Sequence, residues 1–448
     1  MEEMGDVPIF LEHNNFEIVS ISIRSSFINP RTRSEKMWQR VLIFGLFIAG
    51  MGITSSNCAG EDGNTVEMLA AKETGSIFAG KEVEFLDGST GLKGTLYMPD
   101  VEGLCPGVII VGGAERGPRN EYKRQLAGYF AGWGMAALIY DSPGTGESTG
   151  MALMQTKNDR VKEAVAAHRF LRRQDRIDPG KTGIWGISEG AGVALLAAVE
   201  EEEVAFVIAL SGAMGISPFE ISAYRIEVKG LEMGLSLEEI QKGLVFAEIF
   251  WTILTGRDVV EWRLLEMKAK KWADEPWEEL ITLAKRSRQE LEPEEKIELK
   301  DRLQQVMSRW KSENWFKIAL VNGSAFERMK AMNAEMFFGY LKQGPWARGD
   351  WQHYWREINE IPKIKCPVLA IWGERDNFLP PNRSKAVFEY CMSKSRNNDV
   401  TTLKIRGANH IMKAAEGNDF TEQYLEVMRE WVNGRLLDNK KKKGDVRK

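Results

Sequence analysis

The chain runs to 448 residues, with 60 Lys and Arg against 64 Asp and Glu and a net charge of −4. A composition of 43% hydrophobic and 28% charged residues is that of a globular protein and excludes a disordered or fibrous one. The balanced charge leaves no basic footprint for nucleic acid, and the length suffices for one large domain with an insertion or for two domains.

Residues 1–58 read as a leader. Lys36 and Arg40 precede Val41–Ile53, 13 consecutive apolar or Gly residues. That run is short for a bilayer span but suits the core of a secretory signal. The small, polar stretch Thr54–Gly60 follows, and two processing readings stand side by side. In one, Cys58 resembles the lipidated first residue of a bacterial lipoprotein, although Asn57 stands where such sites favour a small residue and Ser55 where they favour an aliphatic one. In the other, the segment serves ordinary secretion or stays as an uncleaved anchor. Residues 1–36 have no signal or amphipathic character, and Met37 makes the more compact start. The expectation is an exported protein (periplasmic, envelope lipoprotein or secreted), whose membrane attachment would run through the N-terminus. Cys105, Cys366 and Cys391 lie far apart without C-x-x-C spacing and read as buried thiols, so no metal or redox centre is expected.

Residues 59–80 read as a polar linker. After it, Val83–Leu86 and Leu92–Met98 predict a hairpin, Pro106–Val111 a buried strand, Glu121–Trp133 a helix, Met135–Tyr140 a strand and Asn158–Arg173 a helix. The strand Thr182–Trp185, a helix of small and apolar residues from Ala191 and the strand Val204–Ser211 complete a first core portion, 81–212. Residues 213–360 differ: helical periodicity, many charges, a capping box at Ser236–Glu239 and nine of the chain's 14 Trp. Those Trp residues either pack helix on helix or line an apolar pocket. Strand Pro367–Trp372, helix Asn382–Met392, strand Thr401–Ile405 and helix Asp419–Asn433 form a second core portion, 361–448, whose Lys440–Lys443, Arg447 and Lys448 read as a solvated basic tail. Strands alternating with helices predict an α/β fold, a mainly parallel sheet covered on both faces.

Gly186-Ile187-Ser188-Glu189-Gly190 is the most telling motif. A Ser on a tight strand-to-helix turn is pushed clear of the sheet, and flanking glycines relieve the crowding. Gly-x-Ser-x-Gly alone is weak, with roughly 0.2 chance matches expected in a chain of this composition. A second copy, Gly146–Gly150, follows the turn cluster Asp141–Gly144, and no strand runs into it. Context therefore favours Ser188 over Ser148.

A Ser hydroxyl needs a base held by a carboxylate. The chain has four His. His13 lies in the leader, His168 within a helix, His353 in the helical region, and His410 in a loop after the last strand, which makes His410 the expected base. Asp376 in Gly373–Asp376 directly after a strand is the expected carboxylate, with Glu374 as its substitute. An oxyanion would need two backbone N–H donors: Glu189, and Ala114 or Gly113 in the loop Gly112–Gly117.

On Gly112–Ala114, Tyr140–Ser148, the Ser188 elbow and the Asp376/His410 pair, residues 81–212 and 361–448 resemble the α/β-hydrolase superfamily. Within it they are similar to bacterial serine esterases and related serine peptidases with a helical cap inserted after the sixth strand. The resemblance implies Ser188 as nucleophile, His410 as base, Asp376 as orienting acid and Ser148 as non-catalytic. The loop at 112 lacks the His-Gly-Gly start common in lipases. The expected activity is hydrolysis of carboxylic esters through an acyl-enzyme, on a small-molecule acyl substrate, with no cofactor and no nucleic acid. The alternatives are a peptidase or amidase of the same fold, and a non-catalytic binding protein.

Overall fold

The computed structural model describes residues 58–59, 65–70, 77–151, 154–255, 262–272, 275–320, 324–343, 353–414 and 419–437. The expected signal segment and the basic tail lie outside these residues. Ten strands form one sheet. β1 (Cys58–Ala59), β2 (Thr65–Ala70), β3 (Ile77–Asp87) and β4 (Thr90–Tyr97) run antiparallel at one side, with Gly88 at φ 58° in the tight β3–β4 turn. β5 (Cys105–Val111), β6 (Ala136–Tyr140), β7 (Ile177–Ile187), β8 (Val207–Leu210), β9 (Val368–Gly373) and β10 (Val400–Ile405) pair in parallel. The order across the sheet is β1-β2-β3-β4-β6-β5-β7-β8-β9-β10. β5, β6, β8 and β9 are buried at every position, as their unbroken apolar sequences require of strands covered on both faces.

The covering helices divide by face. α1 (Glu121–Gly132), with its Asn120 cap, buries Leu126, Ala127 and Phe130 on one side of the sheet. α2 (Lys157–Arg172), opened by a capping box between Thr156 and Asp159, buries Val161, Ala164 and Leu171 on the other. There it is joined by α3 (Glu189–Glu200), which is apolar almost throughout and is buried to match.

Between β8 and β9 the described residues form α4 (Pro218–Glu232), α5 (Leu237–Thr255), α6 (Trp262–Ala269), α7 (Trp277–Arg286), α8 (Pro293–Ser308), α9 (Asn314–Ala319), α10 (Ser324–Ala331), α11 (Ala334–Gln343) and α12 (His353–Glu360). The expected box is present at the start of α5, where Ser236 N–H donates to Glu239 and Glu239 N–H to Ser236 Oγ. These helices carry their own core. Trp277 lies 4.6 Å from Trp310, 5.2 Å from Trp272 and 5.7 Å from Trp315 between ring centroids, and Phe246 and Phe316 close the cluster. The indole N–H groups of Trp277 and Trp310 both donate to Glu275, and that of Trp272 to Glu238. α13 (Pro381–Ser393) and α14 (Glu422–Val432) complete the layers, α13 on the α2–α3 face and α14 on the α1 face.

Two boundaries differ from the sequence reading. Residues 59–80 are not a plain linker: β2 and the start of β3 lie there, pairing Met68 with Ala79 and Leu69 with Phe78. β2 is too short, between polar stretches, for alternation to announce it, and it exists because β3 offers an edge. α12, expected with the helical insertion, belongs to the sheet-bearing part. Its Glu357 pairs with Lys157 of α2 at 2.7 Å, its Arg356 reaches Asn158 and Glu200, and Ile358 packs on the α2–α3 core. No helix among the described residues is long and apolar enough to cross a membrane.

Trp277→Ala should empty the centre of the aromatic cluster and cost about 3–5 kcal/mol of stability. Urea unfolding followed by circular dichroism reads this directly.

Candidate active site

β7 runs straight into α3 through one residue. Ser188 sits at φ 57°, ψ −121°, a conformation that costs a non-glycine residue roughly 1–3 kcal/mol. It is held there by Ser188 N–H donating to Leu210 O at 2.8 Å and by Ala191 N–H donating to Ser188 O at 3.1 Å. The flanking glycines are demanded by contact. A Cβ on Gly186 would strike Gly190 O, and one on Gly190 would strike Gly112 O and lie 2.7 Å from Val111 O. The end of β5 is thereby drawn against the start of α3. A Cβ on Gly113 would stand 3.3 Å from Ser188 Cβ, so the 112–117 loop lies beside the serine.

Glu189, directly after the serine, is buried and pairs with Arg116 and with Arg160 of α2, each at 3.0 Å. Arg160 also donates to Gly112 O at 2.6 Å, tying the elbow to the neighbouring loop. Burial opposes the charge on Glu189, but Arg116, Arg160 and Lys157 more than offset it and hold its pKa down at about 2. The candidate oxyanion donors separate: Gly113 N–H donates to Glu115 at 3.1 Å, whereas Ala114 and Glu189 line a cavity with Ser188.

The β9 loop presents Asp376, fully enclosed, whose Oδ1 accepts the N–H groups of Phe378 and Leu379 at 2.8 Å each. Its Oδ2 meets His410 Nδ1 at 2.7 Å. A carboxylate only accepts, so Nδ1 carries the proton and Nε2 is left as the basic nitrogen. Gly407 N–H donates to Glu374 Oε2, which clamps the two loops and places Glu374 away from His410's partner position. The His410 ring packs on Phe378, 5.1 Å between centroids, and Tyr224 of α4 donates to Asp376 O at 2.7 Å.

A cavity of about 150 Å³ opens between the strand ends and the helices. Ser188 and Ala114 lie on the sheet side, Arg225, Phe250 and Trp251 on the side of α4 and α5, and Phe378 beside them. Phe378 thus touches both the cavity and His410. Ser188 and His410 make no hydrogen bond to each other among the described contacts, so the structure joins Asp376 to His410 and puts Ser188 in the cavity. The Trp residues split as the two sequence readings would have them: Trp272, Trp277, Trp310 and Trp315 build helix packing, and Trp251 lines the cavity, its N–H donating to Ser222.

The residues set aside have structural partners. Ser148 Oγ donates to Asp141 O at 2.8 Å and accepts from Lys93 N–H at 3.0 Å. His168 Nε2 lies between Thr182 O and Thr182 Oγ1, and burial pushes its pKa down to about 4. Among the described residues no group of three or more His, Cys, Asp or Glu is placed to hold a metal ion. Sequence reasoning missed Arg116, Arg160, Tyr224, Arg225 and Phe378. The acid at Glu189 was the available signal for the first two, since a carboxylate buried beside a nucleophile calls for cations.

Residues 87–223 match the family model of X-Pro dipeptidyl-peptidase (S15 family). The polyketide transferase claH of Penicillium crustosum is 32% identical over 166 residues, 34% of this chain and 51% of that protein. The thiohydrolase aneE of Aspergillus aculeatus is 32% identical over 136 residues, 29% of this chain and 40% of that protein. The esterase FrsA of Klebsiella pneumoniae is 30% identical over 130 residues, 29% of this chain and 30% of that protein. The chain spans about half the length, or less, of these relatives. Among solved structures, the Pyrococcus furiosus esterase Pf2001 aligns with a TM-score of 0.43 at 15% identity, over 80% of this chain and 94% of that one. The sheet order and the strained serine between β7 and α3 define the class of fold: the chain has the α/β-hydrolase fold. Its curated relatives include an esterase and thiohydrolases.

The Glu189 carboxylate, held at about 2 against an ordinary 4.5, contributes stability that is complete above pH 5 and lost as pH falls towards 2. The wild type should lose roughly 3 kcal/mol over that window through this group. Glu189→Gln should be less stable at pH 7, with Arg116 and Arg160 losing the carboxylate they share, and should fall less steeply with acid. Urea midpoints at pH 7 and pH 3 test both points.

Proposed function

We propose that this chain is a serine hydrolase that cleaves carboxylic esters through an acyl-enzyme on Ser188. One observation carries the reading: a serine held in strained geometry lines the same cavity as Phe378, whose ring abuts a histidine already oriented by a buried aspartate. Ser188 Oγ attacks the ester carbonyl while His410 Nε2 takes its proton. The oxyanion accepts from the backbone N–H groups of Glu189 and Ala114; Gly113 is the poorer second donor, being engaged by Glu115. His410 then returns the proton to the leaving alkoxide. In the second half, water gives a proton to His410 and attacks the acyl carbon, and collapse frees the acid and regenerates Ser188. Asp376 keeps Nδ1 protonated and stabilises the imidazolium in both halves. Helices α4 to α11 act as a cap that excludes water and selects the acyl part.

A peptidase or amidase is the second reading, favoured by the S15 model over residues 87–223. Thioesters fall within the same chemistry, since the relatives include thiohydrolases. We further propose that the chain is exported and that Cys58, where β1 begins, is the processed and lipidated residue. An N-terminal mass of the native protein carrying the lipid at Cys58 supports this, and a mass beginning at Met1 or Met37 overturns processing and lipidation at Cys58.

Ser188→Ala should lower kcat on p-nitrophenyl acetate by roughly 10⁴–10⁶, and Asp376→Asn by about 10⁴. A fluorophosphonate should add one adduct to the wild type and none to Ser188→Ala. Ester turnover that survives Ser188→Ala would refute the assignment, and aminoacyl-p-nitroanilide turnover equal to ester turnover would promote the peptidase reading.

A further inference from the structure

The cavity wall carries several charges, and all but one are matched. Lys157 is paired with Glu357 at 2.7 Å, and Glu189 with Arg116 and Arg160. Arg225, on α4, is different. It is 4% exposed, lines the cavity with Ser188, and has no carboxylate partner among the described residues. Its Nη2 donates to Ala319 O at 3.2 Å, its Nε has no hydrogen-bond partner, and its guanidinium stands 5.4 Å from the centre of the Phe378 ring. A carbonyl dipole and an aromatic face are the partners it has, and neither carries a charge. Burial pushes its pKa down to about 10, which still leaves it cationic at neutral pH. A buried cation with an unmade hydrogen bond is costly to a fold and persists where something else completes it.

We propose that Arg225 binds a free carboxylate on the substrate, making this site selective for short esters that carry one. The inference rests on the ester-hydrolase reading for the scissile bond, but the carboxylate site can be tested separately from it. One planar guanidinium matches a planar monoanion; a phosphate dianion would call for further cations. The placement agrees, because Ser188 and Arg225 line the same cavity of about 150 Å³, so a short ester has its carbonyl and its carboxylate served from one pocket. Lys229, one turn further along α4 and 5.9 Å from the same Phe378 ring, adds positive potential, and Asp376 and Glu232 are the acids that face it.

The test pairs substrates of equal length. Wild-type kcat/KM should favour monomethyl glutarate over methyl valerate, or acetoxyacetate over ethyl acetate, by about tenfold or more. Arg225→Met should cut that preference by about tenfold, to near parity, and Arg225→Lys should restore part of it. Using the ratio separates recognition from general damage, which would lower both substrates together. A binding arm stands free of turnover: glutarate should raise the Tm of wild type and of Ser188→Ala, and leave that of Arg225→Met unmoved. Ester turnover without charge preference and without stabilisation by glutarate overturns the carboxylate site and leaves the esterase reading standing. Stabilisation by glutarate that depends on Arg225, in a protein that hydrolyses no ester, upholds the site and overturns that reading instead.

Discussion

The arrangement depends on how closely β5 and β7 end beside the start of α3. Gly186 and Gly190 lack the Cβ atoms that would strike Gly190 O and Gly112 O. This contact accompanies the strained conformation of Ser188 and brings the 112–117 loop beside the serine. The strain is local and is held by the hydrogen bond to β8 and by the buried sheet beneath. The Glu189–Arg116–Arg160 cluster then ties the elbow to the neighbouring loop, Arg160 reaching Gly112 O.

The second constraint is the pairing of the β9 and β10 loops. Gly373 admits the carbonyls of Ala408 and Asn409, Glu374 binds Gly407 N–H, and Asp376 spends one oxygen on its own loop and the other on His410. The histidine is therefore oriented by a carboxylate whose own rotamer is fixed.

Much of this was legible in the sequence because its signals are local. An apolar run ending in Gly-x-Ser-x-Gly and opening into small residues specifies strand, turn and helix within twenty positions. A strand followed by Gly-Glu-Arg-Asp, and a His in the last loop, complete the set. Ser148 could be set aside on the same grounds, and its hydroxyl is bound to the backbone at both ends. Long-range partners carry no such signature. β2 exists only because β3 offers an edge, and α12 reads as one more polar helix until Glu357 is seen against Lys157. Arg225 lies in an ordinary amphipathic helix, and its burial depends on α9, some ninety residues further on.

α4 also holds the acid loop in three places, Tyr224 on Asp376 O, Glu232 on Asn377, and Arg225 with Lys229 over Phe378, and reaches the helix that follows through Glu220 on Arg383 of α13. The inserted helices are consequently not an interchangeable module. A foreign insertion grafted between β8 and β9 would remove the outer supports of the loop that bears Asp376, and the histidine's orientation would be altered even with all three polar residues in place. Divergence of selectivity in this architecture has to proceed by substitutions within the helices that leave the ties of α4 intact.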